Sequence, residues 1–387
     1  MTHRMQTTAL DQIGQLLADQ GFDGLADALR VLLNEVMKIE RAAVLGAGPY
    51  QRVEGRTGYA NGYKPKTVQT RVGALTLAVP QARGVEFYPS ALEKGLRSER
   101  ALKLALAEMY VQGVSTRKVA AITEQLCGLE VTSGQVSRAA QALDEELEKW
   151  RSRPLGETPY LILDARYEKV RHGGSVRSCA VLVAIGIAPD GKRSVLGTAV
   201  SLSEGEVHWR GFLADLQGRG LHGVKLVVSD AHGGLKPALD ARLVGVAWQR
   251  CQFHLMRNAL AFVPRPEMQA EVVADLRAVF DAPDRPEADR QLGQAVQKYQ
   301  ASAPKLSAWL EANLPEGLAV FALPRAHRRR LRTSNMLERL NEELKRRTRV
   351  AGLFPNDASL LRLVSAVLME VSEEWETNRK YLTMGPG

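Results

Sequence analysis

The amino-acid sequence predicts an α/β protein, in which a mixed β-sheet core carries an all-helical insertion and follows a helical N-terminal region. Three patterns lead to this prediction. Short β-rich runs alternate with helical patterns in residues 158–263, the proline-punctuated residues 264–324 are helical in pattern, and residues 9–45 and 98–150 carry apolar residues at helical spacing. The same patterns divide the chain into regions 1–48, 49–97, 98–152, 158–263, 264–324 and 325–387.

Composition restricts the class of protein. The 387 residues are 45% hydrophobic and 25% charged, which is typical of a globular chain with two or three domains. The longest unbroken apolar run, Cys179 to Ala188, is far too short to span a bilayer, and no apolar leader marks a secretory signal. The three cysteines are few, odd in number and far apart, so we expect a cytoplasmic protein without membrane partners or disulfides.

The first 97 residues combine a helical segment with a small basic β-rich segment. An apolar stripe from Leu25 to Ile39 predicts an amphipathic helix that ends at Gly46. Strand-like runs follow at Thr67–Val72 and Ala74–Val79, near the motif Arg56-Thr-Gly-Tyr-Ala-Asn-Gly-Tyr63 and the basic residues Lys64, Lys66 and Arg71. A hairpin with solvated lysines and a basic sheet that touches a phosphate backbone explain this segment equally well.

Residues 98–152 have the pattern of a helix-turn-helix. Ser98, Ser115 and Ser133 are candidate caps of three successive helices, and Gly128 interrupts the second. In a helix-turn-helix the open face of the last helix reads base edges in the major groove. Four side chains fall on that face: Gln135, Ser137, Arg138 and Gln141. The turn is longer than usual, so a plain helical bundle remains an alternative.

From Pro159 the pattern follows the order β-β-β-α-β-α-β-α. Apolar strands are predicted at Tyr160–Leu163, Cys179–Ile187, Val195–Leu202, Val224–Val228 and Val244–Trp248. Ser203 and Glu206 form a candidate capping box for the first helix. This order is that of an RNase-H-like mixed sheet, in which the first and fourth strands are neighbours.

Each of those neighbouring strands is followed by an aspartate. Asp164 is predicted at the end of the first strand and Asp230 at the end of the fourth, so the two carboxylates should converge. Converging carboxylates repel each other unless a cation lies between them, and oxygen ligands of this kind suit Mg²⁺ or Mn²⁺. A pair of such ions can activate a water or a 3′-hydroxyl and stabilise the leaving oxygen in phosphodiester cleavage.

A third acid is expected on the helix predicted at residues 334–347. Glu338 is the preferred candidate, although spacing alone does not separate it from Glu342 and Glu343. The chain carries 52 Lys and Arg against 43 Asp and Glu, and the basic residues concentrate around this helix. The cluster is either a solvated helix face or a set of phosphate contacts. Its members are Arg328, Arg329, Arg330, Arg332, Arg339, Lys345, Arg346, Arg347 and Arg349.

Together these motifs resemble the mutator-type transposases of bacterial insertion sequences, which carry an Asp-Asp-Glu site. The matching segments span most of the chain and are Leu161-Ile-Leu-Asp164, Val227-Val-Ser-Asp-Ala-His232, Gln249-Arg-Cys-Gln-Phe-His254 and Thr333-Ser-Asn-Met-Leu-Glu-Arg-Leu-Asn341, followed by Lys345-Arg-Arg347. The resemblance implies that Asp164, Asp230 and Glu338 are the catalytic residues and the ligands of two Mg²⁺ or Mn²⁺ ions. It also implies double-stranded DNA, as element ends and target, as the partner.

The expected activity is metal-dependent strand cleavage and strand transfer at the terminal inverted repeats, by a homodimer or larger assembly in the bacterial cytoplasm and nucleoid. Two alternatives stay open: a non-catalytic DNA-binding regulator or inactive element copy, and an RNase-H-like nuclease without strand transfer. Three further residues are possible accessories of the site, namely His232, Cys251 and His254. Cys251 and His254 form one Cys-x-x-His pair, short of the four ligands of a structural zinc site.

Overall fold

The computed structural model of the chain describes residues 8–92, 100–127, 129–349, 352–377 and 380–384. The chain divides into two compact units, Met1–Ala142 and Leu143–Gly387. Each unit has apolar side chains of its own at its centre. Among the described residues, no helix is both long and apolar enough to cross a membrane.

The first unit begins with two helices and a β-hairpin. Helix α1 spans Ala9–Gln20, and α2 spans Leu25–Leu45 and ends, as predicted, at Gly46 in the left-handed conformation (φ 64°). Strands β1 (Tyr59–Thr70) and β2 (Gly73–Arg83) pair antiparallel over a longer stretch than the sequence predicted. Alternate side chains of β2 face α2, so that Leu75 and Leu77 pack on Met37.

The rest of the first unit is a three-helix group. Helices α3 (Arg100–Val111), α4 (Thr116–Cys127) and α5 (Ser133–Gln141) share a core that includes Leu106, Val119 and Val136. Ser115 caps α4 as predicted, since its Oγ accepts a hydrogen bond from the Lys118 amide at 3.3 Å. The predicted cap Ser98 and the predicted helix break at Gly128 lie outside the described residues.

Two details of this region differ from the prediction. The cap of α5 is Thr132 rather than Ser133, because Thr132 has the extended backbone of a cap and forms a reciprocal capping box with Gln135. The predicted third helix is two helices: α5 ends at Gln141, and α6 spans Asp144–Ser152 in the second unit. Three acids in its first turn, Asp144, Glu145 and Glu146, favour a new helix start there.

A five-stranded mixed sheet forms the centre of the second unit. Its strands are β3 (Tyr160–His172), β4 (Ser175–Ile187), β5 (Arg193–Ser201), β6 (Leu226–Ser229) and β7 (Ala247–Arg250), in the spatial order β5-β4-β3-β6-β7. Strands β3, β4 and β5 pair antiparallel, whereas β6 and β7 run parallel to β3. The predicted adjacency of the first and fourth strands of this region, β3 and β6, is confirmed.

The prediction that the first strand stops at Asp164 was wrong. Strand β3 continues for eight more residues, paired with β4, to a turn at Gly173 and Gly174, which both have positive φ. The apolar pattern ends at Asp164 because charged residues such as Arg166 and Glu168 follow it. Asp164 therefore lies within a continuous strand, opposite Val183.

Helices cover both faces of the sheet. Helices α7 (Glu206–Gly218) and α8 (Leu235–Arg242) pack on one face through a core that includes Leu161, Trp209 and Phe212. Helix α15 (Asp357–Thr377) contacts β3 and β5. The predicted capping box of α7 was wrong: Gly205 is the cap, and the Ser203 Oγ accepts from the Gly205 amide instead.

The remaining helices follow β7. Helix α9 (Gln252–Leu260) leads into residues 264–324, where α10 (Gln269–Phe280), α11 (Arg285–Ser302) and α12 (Pro304–Asn313) confirm the expected helical pattern. The chain then returns to the sheet through α13 (Arg325–Leu331) and α14 (Asn335–Thr348). Helix α14, which carries the third candidate acid, contacts β3, the strand that carries the first.

Candidate functional site

The parallel pairing of β3 and β6 brings Asp164 and Asp230 to the same level of the sheet. Ile162 is opposite Val228 in this pairing, and each aspartate lies two residues further along its own chain. His254, near the start of α9, interacts electrostatically with both carboxylates. The predicted convergence of the two aspartates therefore agrees with the register of the sheet.

Asp164 is a largely buried carboxylate. Burial raises its pKa to about 6, against the opposing effects of hydrogen bonds from the Asn341 side chain and the Ala165 backbone. The Asn341 Nδ2 donates to the Asp164 Oδ2 at 2.6 Å, and this bond joins β3 to α14. The charged form of Asp164 is thus disfavoured where it lies, and a cation beside it would offset that cost.

Asp230 is more accessible. Its side chain is 41% exposed, and its Oδ1 accepts a hydrogen bond from the Ala231 amide at 2.8 Å. The same oxygen lies 3.8 Å from the His254 Nδ1. Asp230 follows β6 directly, as predicted, at the carboxyl end of the strand, where the chain turns towards α8.

Glu338 lies on α14, one helical turn before Asn341. Side chains three residues apart share a helix face, so Glu338 projects from the same side of α14 as the residue that holds Asp164. Two further bonds lay α14 along β3: Arg166 donates to the Asn341 carbonyl at 2.6 Å, and the Thr348 Oγ1 donates to Glu168 at 2.9 Å. The helix thus presents Glu338 towards the buried end of β3.

The structure also separates the two competing acids of this helix. Arg346 and Arg347 donate to Glu343 and lower its pKa to about 2, so Glu343 is committed to ion pairs. Glu342 lines the same cleft as Glu338 but is a quarter turn away from Asn341. Glu338 is therefore the acid of α14 that best matches the position of Asp164.

The donor chemistry of this site suits a hard divalent cation. Asp164, Asp230 and Glu338 offer carboxylate oxygens, the ligands that Mg²⁺ prefers. Within the described residues, no group of three or more acid, histidine or cysteine side chains lies close enough together to hold a metal ion, so the three acids do not surround a common point in this structure. The buried, poorly neutralised charge of Asp164 is the structural feature that fits an added cation.

Glu204 is a fourth acid beside this site, and it was not among the residues predicted from the sequence. Burial raises the pKa of Glu204, which accepts a hydrogen bond from Tyr167 and lies 3.8 Å from the His232 Nδ1. The loop before α7 that carries it packs tightly on Gly234, where an added Cβ would lie 2.2 Å from the Glu204 carbonyl oxygen. The sequence Gly233-Gly234 was the available signal for this close approach.

Cys251 connects α9 to the start of α14. Its buried sulfur accepts hydrogen bonds from the Ser334 backbone amide at 3.4 Å and the Ser334 hydroxyl at 3.3 Å. The Cys251 sulfur, with Asp230 and Asp164 as smaller contributors, raises the pKa of His254 to about 9 against the effect of burial. His232 is exposed and paired with Glu204. All three possible accessory residues thus lie near the acids.

The predicted basic cluster divides into two groups. Arg332, Arg346 and Arg347 are ion-paired with Asp281, Glu343 and Glu370, and Arg347 is almost fully buried. Arg328 donates to the carbonyls of Leu323 and Pro283. The second group lines an open cleft that also contains Glu338: Arg329, Arg330 and Arg339. Lys345 and Arg349 are exposed at the other end of α14.

In the first unit, three of the four predicted base-reading residues are exposed on one face of α5: Ser137, Arg138 and Gln141. Gln135 is different, because its side-chain oxygen accepts from the Thr132 amide at 2.7 Å in the capping box. The basic hairpin stays open to both earlier interpretations: Lys64 is exposed, and Lys66 donates to the Tyr88 hydroxyl.

Replacing Asp164 by asparagine is expected to stabilise the metal-free chain near neutral pH. Between its ordinary pKa of 3.8 and about 6, the folded chain binds more protons at Asp164 than the unfolded chain does, so stability falls as pH rises. At pH 7.5, Asp164→Asn should raise the free energy of unfolding by about 1–3 kcal/mol, and the gain should vanish near pH 4. Urea unfolding at several pH values measures this. The exposed control Asp240→Asn should show no pH-dependent change in the free energy of unfolding. A stabilisation by Asp164→Asn that did not depend on pH would contradict the raised pKa of Asp164.

Comparison with known proteins identifies the family of this chain. The family model described as Transposase, Mutator family, matches residues 1–378. The chain is 56% identical over 388 residues to the transposase for insertion sequence element IS406 of Burkholderia multivorans, covering 100% of both chains. It is 46% identical to that of ISRM5 of Rhizobium meliloti, over 94% of this chain and 91% of the relative. It is 37% identical to that of IS256 in transposon Tn4001 of Staphylococcus aureus, over 92% of each. The chain belongs to the mutator family of transposases.

Proposed function

We propose that this chain binds the ends of its insertion sequence and catalyses metal-dependent DNA cleavage and strand transfer. The observation that carries the proposal is the placement of Asp164 and Asp230 at one level of adjacent strands, with Glu338 on the helix bonded to Asp164. The strand order β5-β4-β3-β6-β7 supports an RNase-H-like core for the second unit. The relatives named above are transposases of insertion sequences, which supports the same reaction.

Each part of the site has a defined task in this proposal. Asp164, Asp230 and Glu338 would hold two divalent cations, which supply the activation of a water or a 3′-hydroxyl and the stabilisation of the leaving oxygen. Asn341 fixes the orientation of the Asp164 carboxylate through its 2.6 Å hydrogen bond. Arg329, Arg330 and Arg339, in the cleft beside Glu338, would bind the phosphates that flank the scissile one.

DNA recognition is proposed for α5 of the first unit. Arg138 and Gln141 are exposed on one face of this helix, and both side-chain types form bidentate hydrogen bonds to base edges in the major groove. We also propose at least a dimer on DNA, because transposition joins two ends. Apolar residues exposed on α2, namely Leu25, Leu32 and Ile39, offer a contact surface for the second copy.

Removing any one acid of the triad should abolish cleavage and leave DNA binding largely intact. Asp164→Asn, Asp230→Asn and Glu338→Gln each remove a metal-ligand charge with little change in shape. Cleavage of a labelled element end with Mg²⁺ and a parallel binding assay measure the two effects. Glu342→Gln is the matched control, because Glu342 lines the same cleft but is outside the triad, and it should retain activity. Binding without cleavage by the unaltered chain would favour a non-catalytic regulator.

Arg138→Ala should relax sequence choice rather than weaken binding uniformly. Loss of one bidentate base contact costs about 1–3 kcal/mol at a single base position. Arg117→Ala removes the same charge from the exposed side of α4, the helix that crosses the DNA backbone in a helix-turn-helix. This variant should weaken binding to element ends and to random DNA equally. Competition binding against single-base variants of the element end measures the specificity of Arg138→Ala and Arg117→Ala. Identical specificity profiles for the two variants would remove α5 from recognition.

The salt dependence of binding should separate the two groups of arginines around α14. Each lost phosphate contact lowers the slope of log affinity against log salt by about one unit, so Arg329→Ala should lower it. Arg346→Ala should change it much less, because the Arg346 guanidinium is already paired with Glu343 at 2.7 Å. Titrations at four salt concentrations with random duplex DNA decide this. Equal slopes for Arg329→Ala and the unaltered chain would make Arg329 a solvated surface residue.

A further inference from the structure

The cleft beside Glu338 contains more than the predicted basic residues. It has a volume of about 860 Å³ and lies among the start of β5, helices α13 and α14, and the last turns of α15. Six of its side chains matter here: Arg193, Arg329, Arg330, Arg339, Trp375 and Tyr381. Three of them, Arg193, Trp375 and Tyr381, play no part in the function proposed above.

Aromatic rings hold the guanidinium of Arg193 in place. Its central carbon lies 4.1 Å from the centre of the Trp375 ring and 4.9 Å from that of Tyr381. Arg330 contacts the Tyr381 ring as well, at 5.1 Å. Cations at these distances are attracted by the negative face of the ring. The cleft therefore presents guanidinium and aromatic groups that are already positioned.

Positive charge exceeds negative charge in this cleft, which is lined by four arginines and by two glutamates, Glu338 and Glu342. Within the described residues, none of the guanidinium groups of Arg193, Arg329, Arg330 and Arg339 forms an ion pair with a carboxylate, in contrast to Arg332, Arg346 and Arg347. Burial lowers the pKa of Arg193, against the opposing effects of Tyr381 and Glu374, and the nearby charges of Arg330 and Arg339 act in the same direction as burial. Four cations against two carboxylates in one cleft favour a bound anion.

One wall of the cleft is the chain near Tyr381. The amides of Tyr381 and Leu382 donate to the Gly191 carbonyl at 2.9 and 3.1 Å, and the Tyr381 hydroxyl donates to the Arg330 carbonyl at 3.2 Å. Only glycine suits position 191, because its φ is +84° and an added Cβ would lie 1.9 Å from the Leu382 carbonyl oxygen. The wall is thus fastened to the turn between β4 and β5.

We propose that this cleft binds unpaired nucleotides of a DNA strand next to the phosphate that is cleaved. A volume of about 860 Å³ suits a ligand of one or two nucleotides, and the bases of a duplex are stacked on each other and do not offer their faces to these rings. Bases stack on aromatic rings and on guanidinium planes, and arginines neutralise the phosphates between them. The inference rests on the proposed function, because Glu338 lies in the same cleft.

A binding assay with a short single strand tests the cleft directly. The full chain without divalent metal is titrated with a fluorescent six-nucleotide DNA strand and with a duplex of the same length. Arg193→Ala and Trp375→Ala should each weaken single-strand binding about tenfold, and Trp375→Phe should retain most of it. Arg330→Ala, at an exposed position, gives a second measurement that leaves the contact between Arg193 and Trp375 in place. Arg290→Ala, which breaks only an exposed pair with Glu287, should change nothing.

A second measurement places the unpaired nucleotides at the cleavage site. Element-end duplexes carry 2-aminopurine at the positions flanking the scissile phosphate, where its fluorescence rises when the base leaves the stack. The unaltered chain should raise the signal, and Arg193→Ala should reduce the rise while the duplex stays bound. The inference would be overturned if the affinity for the single strand were unchanged in all three variants, Arg193→Ala, Arg330→Ala and Trp375→Ala. It would also be overturned if the unaltered chain bound the duplex without raising the 2-aminopurine fluorescence. If the unaltered chain bound element ends no more tightly than random duplex, that result would count against the proposed function. Binding of the six-nucleotide strand would still show whether the cleft holds unpaired nucleotides.

Discussion

The arrangement of the proposed site depends on one buried carboxylate. Asp164 lies within the longest stretch of paired strands, where the carboxylate has lost most of its water, and a single side-chain hydrogen bond from Asn341 partly compensates for this. That bond also helps to hold α14, the helix that carries Glu338, on β3. The Cys251 sulfur holds the start of the same helix through Ser334. The buried Asp164 and helix α14, which donates a hydrogen bond to it, therefore form one connected structure.

Charge around α14 is used in two different ways. Arg347 is buried against Glu370 and Glu343, where it joins α14 to α15. Arg193, Arg330 and Arg339, by contrast, contact aromatic rings or line open space. Because a guanidinium keeps its charge in either setting, sequence alone does not distinguish an arginine that stabilises the fold from one that is available to a phosphate. The arrangement of carboxylates around each group makes the distinction.

Much of the second unit was predictable because apolar periodicity reports burial directly. The order of strands and helices, the adjacency of β3 and β6 and the helical character of residues 264–324 all follow from it. The length of β3 did not follow from apolar periodicity, because the charged residues after Asp164 lie on a stretch of strand whose side chains are partly exposed. Glu204, Arg193 and Tyr381 were missed for a different reason. Each reaches the site from a loop, the start of a strand or the segment after α15, and such long-range contacts leave little local pattern beyond the Gly233-Gly234 pair that faces the Glu204 loop.

The bond between Gly191 and the chain near Tyr381 has a consequence for how such an element decays. The three acids of the proposed site are encoded well before this segment, so a nonsense mutation just upstream of Tyr381 would spare all of them. Such a copy would lose the ring that contacts Arg193 and Arg330, together with one wall of the cleft. A reading frame that looks intact by the three proposed acids alone would then encode a protein without this wall, so the codons around Tyr381 are as informative about an element's integrity as those of the acids.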